Sequence, residues 1–307
     1  MSEKRRKIIF FTSVLVTASV LTILFSTIEF SAIAAAFLKS NKILLMSAIL
    51  LFFCIPFICA RRWQKLLELL SYDLPYKKCL CLYLASIPLS KISPANLGDL
   101  SKAYYLKEEI PVSKNAGAIL AESFLDVLVL LILVLVGSLI SKMKSFLFID
   151  LAGLFFVLLF FIFVAKFRLN RAKNWQGRLE NFFDIFKKLA GRPLYFLSVM
   201  FYSFLIWLSG LIFVKICFVS LGGSVPTSSL VIFQPMVALI SLLPVTISGI
   251  GVRETSMLYF YSNFSAAPII LSVGLLYSLI SGVILPALCL PFMWRALKNK
   301  AKITKNL

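Results

Sequence analysis

The sequence predicts an all-α polytopic membrane protein, on three observations. Hydrophobic residues make up 60% of the 307 residues, so too few polar side chains are present to cover a soluble surface. The apolar residues form runs of about 20, the length that a helix needs to cross the hydrocarbon core of a bilayer. Lys and Arg are concentrated between these runs, where membrane topology requires them.

Six apolar runs are continuous enough to be spanning helices: 8–28, 43–60, 117–140, 145–165, 194–220 and 268–293. Two further apolar regions are interrupted. Region 79–91 is short and is followed by Pro94, while region 228–248 contains Pro235 and Pro244. Because proline disrupts a straight helix, each region is predicted to be a re-entrant hairpin or a pair of half-length helices. The chain then has about eight or more membrane segments.

The basic residues predict the orientation of the chain. Of the 32 Lys and Arg residues, 22 lie in four segments: 1–7, 61–78, 166–192 and 294–307. Cytoplasmic connections carry an excess of Lys and Arg, so these segments and both termini are predicted to be cytoplasmic. The first run is too long for a cleavable signal. A bacterial or archaeal plasma membrane is favoured, with an organelle membrane as the alternative.

The two halves of the chain repeat one order of segments. Residues 1–144 and residues 145–307 each contain two spans, an interrupted region and a further span. The first half starts inside the cell and the second starts outside. This order predicts a single transmembrane domain, 1–307, built as an inverted-topology repeat.

Several functional classes are excluded by composition. The chain has no histidine, which removes Ser-His-Asp and Cys-His catalysis. Its six cysteines form no Cys-x-x-Cys pair, so no metal site is predicted. Without a nucleotide-binding loop, no cofactor is expected. The formal net charge of +19 raises nucleic acid as a partner, but the charges lie where membrane topology needs them, so none is predicted.

Two cytoplasmic segments are interpreted as membrane-surface elements. In the loop 166–192, apolar residues recur at helical spacing: Trp175, Leu179, Phe182, Phe186 and Leu189. This face predicts an amphipathic helix that lies on the anionic inner leaflet, with a helix packed on the protein as the alternative. The run 61–65, which contains Arg61, Arg62 and Trp63, is interpreted as an interfacial anchor that ends the second span.

Two acids lie near the start of span 117–140. Glu122 and Asp126 are four residues apart and share a helix face. An ionisable side chain at membrane depth usually faces a cavity or a partner. The pair is predicted to bind a cation, carry protons or pair with a basic group, unless both acids lie at the cytoplasmic interface.

A second group of charges follows region 228–248. Arg253 and Glu254 come directly after Gly249 and Gly251, which permit a tight turn and a close approach of a ligand to the backbone. Arginine can hold a phosphate through two hydrogen bonds, and Glu254 is expected to neutralise it when no ligand is bound. The alternative is a salt bridge that only stabilises the turn.

The corresponding group in the first half is Gly98, Asp99 and Lys102. If the halves are related by a two-fold axis, this group is expected to line the other side of the same cavity. Alternatively, Lys91 and Lys102 are cytoplasmic.

These motifs resemble the transmembrane, flippase-like region of lysylphosphatidylglycerol synthases. Residues 93–106 match P-x-x-x-G-(D/E)-x-x-(R/K)-x-x-x-L, residues 121–126 match (V/A)-E-R-x-x-D, and residues 243–254 match L-P-x-S-x-x-G-x-G-x-R-E. Two positions depart from the pattern, since Ser123 replaces the usual arginine and Thr246 a common serine. The missing arginine leaves the partner of Glu122 and Asp126 open.

The resemblance implies movement of an anionic or lipid-linked lipid between leaflets. It also implies a stand-alone member of the family without the soluble aminoacyltransferase domain, so that activity is not expected. Two alternatives remain open from the residues: a membrane subunit that anchors a separate soluble transferase, and an integral membrane transferase with a carboxylate base.

Overall fold

The computed structural model describes residue 22 and residues 30–141, 144–166, 176–242 and 246–305. The described chain is helical, with short connections and no strand among these residues. The predicted first span, 8–28, lies outside the described residues except for residue 22, and so does Trp175 of the amphipathic face. The all-α prediction is confirmed.

The helices are numbered in chain order. They are α1 Phe30–Lys39, α2 Lys42–Leu69, α3 Tyr76–Ile92, α4 Ser101–Tyr105, α5 Val112–Ser141, α6 Lys144–Lys166, α7 Gln176–Gly191, α8 Pro193–Ser220, α9 Thr227–Ser241, α10 Val252–Tyr261, α11 Ala267–Leu279 and α12 Leu285–Lys305. A 3-10 turn, Pro94–Leu100, precedes α4, and a second one, Ile247–Gly249, precedes α10. A π-helical segment, Ile280–Ile284, joins α11 to α12 without a break.

Four of the described helical stretches are long and apolar enough to cross a membrane. They are Lys42–Leu69, Val112–Ser141, Pro193–Ser220 and Ala267–Lys298. Each contains one of the predicted spans. A further predicted span, 145–165, corresponds to α6, which contains the apolar stretch Asp150–Leu159. The chain is therefore an integral multi-pass membrane protein.

The two interrupted regions are each a helix, a 3-10 turn and a second, shorter helix. In the second half, the 15-residue α9 is followed by the second turn and the 10-residue α10. In the first half, the 17-residue α3 is followed by the first turn and the five-residue α4. The two turns contact each other, and α3 also contacts the second turn. The breaks in the apolar pattern thus mark two 3-10 turns that contact each other.

Helices from the two halves pack on one another reciprocally. The pair α2 and α8 has the most extensive contact, α3 packs on α12, and α5 packs on α9. A two-fold axis between the halves would exchange α2 with α8, α3 with α9, and α5 with α11 and α12. The last two contacts are therefore equivalents under that axis. This is the pattern that an inverted repeat generates, and the repeat itself remains a prediction.

The apolar face of α7 packs on the protein. Ile185, Phe186 and Leu189 are at most 2% exposed and belong to one core cluster with Trp63 of α2. The ring of Phe186 meets that of Phe124 edge-on, with 5.8 Å between centroids. The interpretation of this face as a membrane-surface face is wrong for these residues, because α5 and α2 already cover them. The periodicity identified the face but not what covers it.

Candidate functional site

The second turn brings Arg253 and Glu254 into the bundle through an unusual backbone. Ser248, Gly249 and Gly251 have φ angles of +55°, +74° and +89°. Glycine adopts this left-handed conformation readily, whereas Ser248 does so at an energetic cost. Strained residues of this kind are concentrated at functional sites. The turn lets α10 begin inside the protein with Arg253 in its first turn.

Glu254 holds the start of α10 in place. One of its oxygens, Oε2, accepts the backbone N–H of Gly251 at 2.6 Å, and the other, Oε1, accepts the hydroxyl of Ser278 at 2.5 Å. The side chain is fully buried. An acid at a helix N-terminus stabilises the helix dipole, so Glu254 is satisfied by α10 and α11 rather than by Arg253.

The guanidinium of Arg253 lies on an aromatic ring. Its Cζ is 4.3 Å from the ring centroid of Tyr277, which is a cation–π contact. Nη1 donates to the Ser278 hydroxyl at 2.8 Å, and Nη2 donates to the Ser248 carbonyl at 3.3 Å. Among the described residues, no carboxylate oxygen lies within 4.0 Å of this guanidinium. The expected neutralisation by Glu254 is not seen.

Arg253 lines a cavity of about 120 Å³. The walls come from α8, α9, the second turn, α10 and α11, and Lys91 at the end of α3 adds a second cation. No acid is among the lining residues in the described part of the chain. Thr246, which is 2% exposed, also lines the cavity, and its buried hydroxyl has no hydrogen-bond partner among the described residues. The cavity therefore offers two cations and a free hydroxyl donor to a bound group.

The first turn packs against the end of α3, next to Lys91. A Cβ on Gly98 would lie 2.0 Å from the Leu89 carbonyl oxygen, so only glycine permits this approach of the turn to α3. Gly98 also donates its N–H to the Ser93 hydroxyl at 2.6 Å. The first turn also contacts the second turn, which leads into Arg253.

A second set of charges forms a buried cluster, named here the charge cluster: Arg62, Lys102, Glu122 and Asp126. Arg62 contacts Asp126 through two hydrogen bonds, Nη1 to Oδ1 at 2.5 Å and Nη2 to Oδ2 at 3.1 Å. Its Nε is 3.5 Å from Oε1 of Glu122. Lys102 donates to Oε2 of Glu122 at 2.6 Å. Two cations and two acids thus balance inside the bundle.

Neutral side chains complete the charge cluster. Lys102 also lies over the rings of Trp63 and Tyr83, at 5.4 and 4.8 Å. Ser203 of α8 accepts from Arg62 at 2.8 Å. Trp207, one turn further along α8, donates its indole N–H to Oδ1 of Asp126 at 3.0 Å. Because Trp207 also lines the cavity, this residue joins the charge cluster to the cavity.

The residues singled out in the sequence fall into four groups. Arg253 and Gly249 line the cavity, Gly251 and Glu254 shape the turn beside it, and Gly98 and Asp99 belong to the turn that contacts it. The remaining three, Lys102, Glu122 and Asp126, lie in the charge cluster.

Sequence reasoning missed Arg62 and Trp207. The interpretation of Arg62 as an interfacial anchor is wrong, since this residue is 4% exposed and pairs with acids of α5. It supplies the basic partner that Ser123 does not. A signal for this existed, because two acids on one face of a spanning helix require a cation from another helix when their own helix lacks one.

Comparison with known proteins identifies the family of this chain. A family model described as the lysylphosphatidylglycerol synthase TM region matches residues 10–289. A UPF0104 membrane protein of Archaeoglobus fulgidus is 24% identical over 281 residues, covering 82% of this chain and 86% of that protein. A UPF0104 membrane protein of Methanocaldococcus jannaschii is 25% identical over 287 residues, covering 82% and 84%. The chain therefore belongs to the family of the lysylphosphatidylglycerol synthase TM region.

Proposed function

We propose that this protein is a lipid translocase that moves an anionic or lipid-linked substrate between the two leaflets. In this proposal the protein lies in a plasma membrane with both termini in the cytoplasm. The substrate headgroup enters the cavity and contacts Arg253 and Lys91. The observation that carries the proposal is the guanidinium of Arg253, a cation inside a membrane protein without a carboxylate partner among the described residues.

The charge of the cavity supports an anionic substrate. Burying an unpaired cation in a membrane protein is costly, so such a group normally faces a ligand or a water-filled path. Arg253 and Lys91 line one cavity, and no acid lines it with them. A phosphate group carries negative charge and several acceptor oxygens, which match a guanidinium, an ammonium and the free Thr246 hydroxyl.

The depth of the cavity supports transport rather than surface binding. The 15 residues of α9 rise about 22 Å, which is less than the hydrocarbon thickness of about 30 Å. If α9 starts at one interface, the second turn lies within the bilayer. A binding site at that depth between two broken helices is the arrangement found in transporters built from inverted repeats.

In this proposal, the charge cluster lies between the cavity and the predicted cytoplasmic side. Arg62 and Asp126 connect α2 with α5, and Trp207 connects both to α8. In the predicted orientation these contacts lie between the cavity and the cytoplasm. In the proposed cycle, these contacts break when the site opens toward the cytoplasm. Glu122, Asp126 and Lys102 then act in gating and in balancing charge around the substrate.

The accessory-subunit alternative uses the basic loop 166–192 as a docking surface for a soluble transferase. The apolar face of α7 is buried against the rest of the protein, while Lys187 on the same helix is exposed, so co-purification of a soluble partner is the observation that would favour this alternative.

The test is lipid movement in proteoliposomes made with purified protein. Fluorescent phosphatidylglycerol is added in trace amount, and its accessibility to an impermeant quencher is followed. We expect transport by the unaltered protein and a decrease of about tenfold or more for Arg253→Gln, since a hydrogen-bonded charge contributes that much to binding. Arg192→Gln is the matched control, because Arg192 is exposed in the loop before α8.

Two results would reject the proposal. One is a well-folded protein, checked by gel filtration, that moves none of several lipid classes. The other is an Arg253→Gln variant that transports at the rate of Arg192→Gln.

A further inference from the structure

The volume of the cavity limits what it can hold. The cavity measures about 120 Å³. For comparison, a protein cavity of about 150 Å³ holds one benzene molecule. A phosphate group has fewer heavy atoms than benzene and fits in this space, whereas a phosphate joined to a glycerol or a sugar has more and does not fit as a whole. The cavity therefore has room for a single phosphate-sized group.

The charge of the cavity favours a dianion. Arg253 and Lys91 line it half-buried, and among the described residues neither has a carboxylate oxygen within 4.0 Å. A phosphate monoester carries a charge of about −1.5 to −2 near pH 7, which balances both cations. A phosphate diester carries a single negative charge. It would leave one of the two cations without compensation, which is costly in a low-dielectric environment.

The cavity is also rich in hydrogen-bond donors. A guanidinium has more N–H donors than the two that Arg253 gives to the Ser278 hydroxyl and the Ser248 carbonyl. Thr246 and Ser248 both line the cavity, and their buried hydroxyls have no hydrogen-bond partner among the described residues. A terminal phosphate presents one more unesterified oxygen to such donors than a diester does. The donors thus point to the same group as the charge.

We propose that the cavity binds a terminal phosphate, so that the substrate is a lipid phosphate monoester. The inference rests on the proposed function and deepens it, because it names the class of headgroup. A monoester has one substituent that must lead out of the small cavity, whereas a diester has two. Inorganic phosphate and soluble phosphate esters carry the same terminal group, so the experiment includes them as competitors.

The test compares two lipids that differ by one methyl group. Purified protein in detergent is incubated with radiolabelled phosphatidic acid, a monoester, and unlabelled lipids displace it. Phosphatidylmethanol with the same acyl chains is the matched diester, because its methyl group is small but removes one ionisable oxygen. We expect it to bind about tenfold more weakly or worse, the factor that one hydrogen-bonded charge contributes. Inorganic phosphate and glycerol 3-phosphate are expected to displace little, because no hydrocarbon chain retains them beside the protein.

Variants of the two cations connect this preference to the cavity. Lys91→Met should weaken the binding of phosphatidic acid by about tenfold and change that of phosphatidylmethanol little, so that the preference is lost. Lys77→Met is the matched control, since it makes the same change at an exposed position of the same helix, α3, and should alter neither affinity. Arg253→Gln should weaken the binding of both lipids, because both carry a phosphate.

The outcomes separate this inference from the proposed function. Equal affinity for the two lipids, or a preference that survives in Lys91→Met, overturns the monoester even if the protein transports lipid. Displacement by inorganic phosphate or glycerol 3-phosphate as effective as that by phosphatidic acid overturns the lipid substrate, since the site then takes a soluble phosphate. A preference for phosphatidic acid that depends on Lys91, in a protein that moves no lipid, supports the site and rejects the translocase. If Lys91→Met fails to fold, the comparison of the two lipids on the unaltered protein still decides.

Discussion

Arg62 compensates two acids inside the helix bundle. Its guanidinium is bidentate to Asp126 and lies near Glu122, and its side chain is 5% exposed. Removal of one partner from such a buried pair leaves the other charge without compensation in a low-dielectric environment. The ion pair of Lys78 and Glu109 is different, because these side chains are 39% and 47% exposed and water screens them.

We therefore expect Arg62→Met to lower the free energy of unfolding by about 3–5 kcal/mol. Lys78→Met is the matched control and should cost less than about 1 kcal/mol. Unfolding of the purified variants in detergent, followed by circular dichroism, measures the difference. Equal losses for the two variants would mean that Arg62 is solvated and that the charge cluster does not stabilise the fold.

The local sequence around Arg62 does not distinguish it from its neighbours. Arg61, Arg62 and Lys65 occur in one basic run, and such runs normally mark a membrane interface. Helical geometry points only Arg62 toward α5, and that direction depends on how α2 packs. By contrast, Arg253 was predictable, because two glycines before an Arg-Glu pair restrict the backbone locally.

At the scale of elements, the first turn packs closely on α3 because Gly98 has no side chain. Gly98 lies against the backbone of Leu89 and Ser90, with a built Cβ 2.0 Å from one carbonyl oxygen. Backbone atoms cannot move aside as a flexible side chain does. Gly191, the last residue of α7, has no heavy atom within 4 Å of its built Cβ.

Alanine should therefore act in opposite directions at these two glycines. Gly98→Ala is expected to destabilise the protein by about 1–3 kcal/mol, since it forces the turn away from α3. Gly191→Ala should be neutral or stabilising by up to about 1 kcal/mol, because alanine favours the helix. Thermal unfolding in detergent compares them. A Gly98→Ala variant as stable as the unaltered protein would show that the turn does not pack this closely.

The elements were predictable to different degrees. The described long spans were found within a few residues, with two exceptions. Helix α2 extends to Leu69 beyond the predicted end at 60, where Trp63 and Leu66 are buried in protein, and α12 extends to Lys305 beyond the predicted end at 293. The interrupted regions were located by their prolines and glycines. Whether each was a hairpin or two half-helices was left open, since these residues mark a break but not the direction of the chain after it.

At the scale of the whole molecule, the number of membrane crossings between two residues determines whether they lie on the same side. Between Asp73 and Ser224 the chain contains α5, α6 and α8, each long enough to cross once, and one pair of half-helices that returns to its side in the predicted topology. An odd number of crossings places the two residues on opposite sides. Both residues are exposed.

Single cysteines at these positions test that count. In a chain whose six native cysteines are replaced by serine, Asp73→Cys should react with a membrane-impermeant maleimide only from the cytoplasmic side. Ser224→Cys should react only from the outside. The measurement is labelling of intact cells compared with inside-out vesicles. Labelling of both cysteines from one side would contradict the predicted orientation and the even count for the broken region.

The contacts between the two halves could not be predicted from the sequence. The order of segments suggested an inverted repeat, but the local sequences of the two turns share little beyond a proline, small residues and a charge. The contacts of α3 with α12 and of α5 with α9 depend on the shapes of helix surfaces, which one sequence without a template does not specify.

The shortness of α9 and α10 also has a consequence for biogenesis. A ribosome delivers segments to the insertion machinery one after another, and a segment needs about 20 apolar residues to be retained by itself. With 15 and 10 residues, these two fall short of that length. They enter the bilayer stably only once α11 emerges and offers Ser278 and Tyr277 to Glu254 and Arg253. The cavity is then completed last, so a nascent chain carries no assembled binding site until its final span is in place.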